Sequence, residues 1–151
     1  MLSLIFGQRI AAGNGFLGWE SSADLSFGAE TKHSVLGSVC SVDGAAGPYL
    51  CEHQATVRIV GTYARSVGAG TEVFGSLGVG VLRGDYADSP GSVISSKTYG
   101  ATLGLGFNRD FGRGLTARGE VIYDRFDSNT QELYDPTYSG ATIRFALVRR
   151  F

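Results

Sequence analysis

Seven ionisable residues fall inside segments that otherwise alternate between apolar and small or polar residues: Glu20, Asp24, Arg58, Arg118, Glu120, Asp124 and Arg144. Carboxylates and guanidiniums gathered on one face can pair as buried ions, line a polar conduit, or work as general acids and bases. Catalysis lacks its other parts. The two histidines, His33 and His53, both lie in or beside one connecting stretch, and no Ser/His/Asp set converges on a strand rim, so no catalytic residue is assigned. Gly68–Gly75 and Gly104–Gly112 have the glycine content of phosphate-binding loops, but neither runs into a helix that would supply the dipole. Asp85, Asp88, Asp127, Glu132 and Asp135 would bind calcium only if two connections converged, and they read as solvated acids. Nothing asks for a metal or a cofactor. A formal net charge of -1 leaves no electrostatic footprint for nucleic acid.

The elements that must position these charges are strands. The last eleven residues place Ala141, Ile143, Phe145, Leu147 and the terminal Phe151 on one face and Thr142, Arg144, Ala146 and Arg150 on the other, so the chain ends inside a strand and on an aromatic. Where a soluble protein usually frays into a polar tail, this ending points to a bacterial outer membrane. Seven such segments are expected, at residues 3–10, 16–27, 54–65, 72–83, 98–109, 115–126 and 139–151. Most exceed the about five or six residues of a globular strand and match the ~9 to 11 that a tilted strand needs to cross hydrocarbon. The connections alternate: short at 11–15, 66–71 and 110–114, long at 28–53, 84–97 and 127–138. Short turns at one end and long loops at the other are the habit of an outer-membrane barrel. Pro48, Pro90 and Pro136 all fall in the long connections, and no run of the chain is apolar enough for a membrane helix.

Alternation shows that one face is covered without saying whether by protein or by lipid. Leu17, Trp19, Ala23, Leu25 and Phe27 oppose Gly18, Glu20, Ser22, Asp24 and Ser26, and Tyr99, Ala101, Leu103, Leu105 and Phe107 oppose a row of Thr, Gly and Asn. Aromatics mark the ends of the apolar rows. Tyr63, Phe107 and Phe151 are expected near the short-turn rim and Phe27, Tyr99 and Tyr123 near the long-loop rim, as two interfacial girdles. Phe74 falls on the polar row, which requires a bulge or an inward ring. The competing fold is a soluble sandwich or lipocalin-like barrel. Against it, many of the 23 glycines sit on the polar row, where exposure to water would only weaken a sheet, and the chain has just two lysines, Lys32 and Lys97. Cys40 and Cys51 share the first long connection, and on an oxidising export route they are expected to form a disulfide worth about 2 to 3 kcal/mol.

The stretch GFLGWESSADLSFG at 15–28 resembles the third strand of the outer-membrane β-barrel family that includes the opacity porins and small Omp25-like proteins. ATVRIVGTYAR at 55–65 is similar to that family's fourth strand, LTARGEVIYDRFD at 115–127 to its seventh, and YSGATIRFALVRRF at 138–151 to its last. The resemblance implies a single all-β domain over residues 1–151, an antiparallel up-and-down transmembrane barrel of the eight-stranded type with seven strands present. It implies a signal peptide and a first strand encoded upstream of Met1, with a strand supplied by a partner chain as the alternative, and a last strand with one edge unpaired. An eight-stranded lumen is just wide enough to be filled by side chains. There the seven charges would meet in a network centred on Glu20, Arg58, Glu120 and Arg144, with Arg118 as an alternate partner. The implied partners are outer-membrane lipid and lipopolysaccharide, the barrel-assembly machinery through the C-terminal strand, and surfaces met by the outer loops. The favoured function is a structural and surface-interaction protein with a plugged lumen; the alternatives are a small porin for ions or polar solutes and a soluble ligand-binding barrel.

Overall fold

A computed structural model of the chain describes residues 2–25, 39–43, 50–89, 92–127 and 135–149. Those residues form eight strands: β1 (Leu2–Ala12), β2 (Gly15–Leu25), β3 (Val39–Asp43), β4 (Leu50–Gly68), β5 (Thr71–Ser89), β6 (Ser92–Asp110), β7 (Leu115–Asp127) and β8 (Asp135–Arg149). They make one sheet in the order β1-β2-β4-β5-β6-β7-β8-β3. Seven long strands run up and down in sequence, every neighbouring pair antiparallel, while the short β3 crosses over to lie against the start of β8. The hydrogen-bonded ladder is not closed. With seven alternating strands, β1 and β8 point the same way, so the antiparallel pairing used everywhere else in this sheet is denied to them.

Three features depart from the sequence reading. The expected long connection at 84–97 is instead ladder: β5 and β6 stay paired from Gly84↔Ser96 through Asp85↔Ser95 to Ser89↔Ser92, so these strands each reach 19 residues. The 28–53 connection contains β3 and the start of β4, which puts His53 on a strand. Pro136 lies within β8, opposite Val42 of β3, rather than in a loop. It is the second residue of that strand, where a missing backbone donor is tolerated. The edge of β8 is therefore covered along its first five residues, Asp135 to Ser139, and lacks a ladder partner beyond them among the described residues.

The short turns follow from local chemistry. β1 and β2 meet across Gly13–Asn14, with Gly13 at φ 59°. β4 and β5 meet across Ala69–Gly70, where both residues take positive φ, 43° and 73°, the left-handed pair that matches the twist of a two-residue hairpin. Arg109 fastens this turn by donating from Nη1 to the Ala69 carbonyl and to Thr71 Oγ1, both at 2.6 Å. Between β6 and β7 the chain reverses through Gly112, Arg113 and Gly114, and Gly112 N donates to Asp110 Oδ1 at 2.7 Å.

The distribution of side chains is inverted relative to a water-soluble domain. Among the described residues, five hydrophobic ones are buried, namely Ala64, Phe74, Leu82, Ile122 and Phe126, and the other buried residues are glycines, threonines, serines and ions. Among the described residues, twenty-five large apolar or aromatic side chains are exposed, nearly all of them on the outer wall, far beyond the scattered apolar groups of a soluble surface. Tyr63, Tyr99, Phe107 and Tyr123 all belong to that wall, each close to half exposed, whereas Phe27 and Phe151 lie outside the described residues. Phe74 stays on the inner row without a bulge beside it. Its ring is admitted by Gly106 of β6, where a Cβ would come within 2.6 Å of Phe74 Cζ.

Candidate functional site

Alternation along each strand turns the seven charges inward. Glu20 and Asp24 project from β2, Arg58 from β4, Arg118, Glu120 and Asp124 from β7, and Arg144 from β8. Six of these are buried, and Glu20 is partly so. Register sets their heights. Arg58 stands opposite Ser22, one inward step from Asp24, and Arg144 stands directly opposite Glu120.

Each guanidinium is shared by two carboxylates. Arg118 donates from Nη1 to Glu20 Oε1 at 2.8 Å and from Nη2 to Glu120 Oε2 at 2.9 Å. Arg144 donates to Glu120 through Nε and to Asp24 Oδ1 through Nη1 at 3.2 Å. Arg58 donates to Asp24 through Nη1 and grips Asp124 with a fork, Nε to Oδ1 at 2.9 Å and Nη2 to Oδ2 at 2.5 Å. The result is one unbroken chain: Glu20, Arg118, Glu120, Arg144, Asp24, Arg58, Asp124. Bidentate, charge-assisted contacts of this kind offset the desolvation that a single buried ion would suffer.

The pairing differs in detail from the expected centre. Arg58 reaches the two aspartates and neither glutamate, because its register places it beside Asp24. Arg118 is a full member, holding Glu20 while its guanidinium carbon sits 4.1 Å from the Phe74 ring centroid. Three of these contacts cross the interior, joining β7 to β2, β8 to β2 and β4 to β7. Side-chain ions thus hold together walls that the backbone ladder leaves unjoined.

Two further features flank the network. Towards the short turns, Arg9 of β1 pairs with Glu72 of β5 at 2.8 Å and lies over the Phe16 ring at 4.4 Å. Sequence reasoning missed this pair, although Arg9 shares the inward parity of Ser3, Ile5 and Gly7; strands that meet across an interior give no local signal. Towards the long loops, the fully buried Phe126 stacks on Tyr138 with ring centroids 6.3 Å apart. A Cβ at Gly80 would come within 3.0 Å of the Phe126 ring, so this second inward aromatic also depends on a glycine.

The remaining candidates do not assemble into a site. Among the described residues no cluster of His, Cys, Asp and Glu has metal-holding geometry. Of the five acids weighed for calcium, Asp85 accepts a hydrogen bond from Gln54 and Asp127 sits 4.0 Å from Arg125, while Glu132 and the side chains of Asp88 and Asp135 lie outside the described residues. Cys40 stands opposite Tyr138 on β3 and Cys51 opposite Tyr86 on β4. The bridge expected between them gains no support, since their strands pair with different neighbours and both side chains lie outside the described residues. His33 is outside them as well.

No family model matches the chain, and no curated protein matches it. Among solved structures, the chain is similar to Ail, the attachment invasion locus protein of Yersinia pestis, in complex with the heparin analogue sucrose octasulfate. The identity is 11% and the TM-score 0.45, over 91% of this chain and 77% of that one.

Proposed function

We propose that this chain is an integral β-barrel protein of a bacterial outer membrane, with a structural and surface-interaction role and a lumen plugged by its ion network. The observation that carries this reading is the inversion of polarity: a curled antiparallel sheet with apolar residues outside and a continuous chain of four carboxylates and three guanidiniums inside. Hydrocarbon is the solvent that such an outer wall suits, and an interior of paired ions is tolerable only when shielded from that hydrocarbon. The arginine-sharing pattern leaves the network structural rather than catalytic. Membership among the opacity and Omp25-like barrels, delivery by the assembly machinery and display of surface loops belong to the same reading.

The test is the state of the purified protein. Folded in detergent, it should migrate differently on a gel before and after boiling, as membrane barrels resistant to the gel detergent do. Purification as a folded monomer without detergent would overturn the membrane reading in favour of a soluble barrel.

A further inference from the structure

The outer apolar rows of three strands end alike at the short-turn rim. On β4 the outward residue after Tyr63 is Arg65; on β6 the one after Phe107 is Arg109; on β8 the one after Leu147 is Arg149. The register brings all three to the last rungs beside the short turns, at Gly15↔Arg65, Thr71↔Arg109 and Leu115↔Arg149. All three are exposed, as is Arg113 in the β6–β7 turn. Among the described residues at this end, five arginines, Arg9 included, stand with two acids, Glu72 and Asp110; Arg9 pairs with Glu72, and Arg109 also holds the β4–β5 turn. The described residues of the opposite end have the reverse balance: Asp43, Glu52, Asp85, Asp88, Asp127 and Asp135 stand against Arg83, Lys97 and Arg125.

We infer that the short-turn rim is a docking surface for anionic phospholipid headgroups. This rests on the membrane reading above, which sets the apolar rows in hydrocarbon and so puts the next outward residue at headgroup depth. A guanidinium one outward step beyond an aromatic or leucine reaches the phosphate layer while its stem stays against the acyl chains. The surplus of positive charge selects lipids with net negative charge over zwitterionic ones, because each basic group near an anionic surface adds attraction. It also gives the barrel a polarity, with the short-turn end drawn to an anionic phospholipid leaflet and the acidic loop end repelled from one.

Trp19, the chain's single tryptophan, reports on this belt: it is exposed on the outward row of β2, four residues from Gly15, which pairs with Arg65. The experiment reconstitutes the protein in mixed vesicles of phosphatidylglycerol and phosphatidylcholine, with the acyl chains of one or the other brominated, and reads the quenching of Trp19. The wild type should prefer phosphatidylglycerol by about threefold or more at low salt, and about 0.5 M salt should erase most of that preference. Arg65→Gln combined with Arg113→Gln should bring the ratio close to one, and Arg125→Gln at the other rim should leave it unchanged. Equal quenching by both lipids in the wild type, or an undiminished preference in the double variant, would overturn the inference. Absence of quenching by either lipid would instead sink the membrane reading itself.

Discussion

Arg58 is the residue on which the network's energetics turn, since it alone holds Asp24 and Asp124 together across the interior. Replacing it by methionine keeps the volume but leaves Asp124 without a partner in the network, and breaking a buried pair in this way costs about 3 to 5 kcal/mol. Arg58→Met should therefore lower the urea midpoint, followed by Trp19 fluorescence in detergent, and adding Asp124→Asn should recover part of the loss because the stranded charge is gone. Equal midpoints for wild type and Arg58→Met would show that the network does not hold the fold. At this scale the sequence was informative about membership and poor about partners. Strand parity alone puts all seven charges on the inner row. It does not say that Arg58 serves aspartates, or that Arg118 spans to Glu20, because both depend on offsets between strands distant in the chain. Glycines were legible as a feature of the inner row, yet the purpose of Gly106 and Gly80 became visible only with Phe74 and Phe126 in place.

Among the elements, the strands with an apolar outer row were the legible ones, since such a row imposes strict period-two alternation. Where that row ends the signal ends with it. The outer extensions of β5 and β6 are rich in Gly, Asp and Ser, and they read as loop although rungs of the facing strand hold them from Gly84↔Ser96 to Ser89↔Ser92, with one register shift at Asp88. The same holds for β3, five residues whose ladder partner lies almost a hundred positions away. Short turns were located well from their glycines, with two exceptions: Ala69 and Arg113 occupy left-handed positions at φ 43° and 56°, and Ala69 is the instructive one. Asparagine tolerates that region better than alanine without the unfolded-state freedom of glycine. Ala69→Asn should accordingly stabilise the barrel by about 0.5 kcal/mol, seen as a higher urea midpoint; a lower midpoint would mean that this turn is not the left-handed hairpin described.

At the scale of the whole molecule, ion pairs reach across the interior from β8 and β7 to β2 and from β4 to β7, where no backbone ladder joins the strands, and the core they cross is polar while the outer surface is apolar. Seven strands cannot close antiparallel on themselves, a constraint that counting segments already exposed; the crossing of β3 onto β8 and the three ion pairs that span the interior were not foreseeable from local pattern. These cross-lumen pairs are also what separates a plug from a pore made of the same residues. In a plug, Glu20, Arg118, Glu120, Arg144, Asp24, Arg58 and Asp124 satisfy one another and leave no mobile charge to carry an ion through. The direct measurement is the conductance of the purified protein in a planar lipid bilayer. The ion-plugged barrel predicts insertion without conductance; stable ohmic steps from the wild-type protein would contradict it and assign the same charges to a pore.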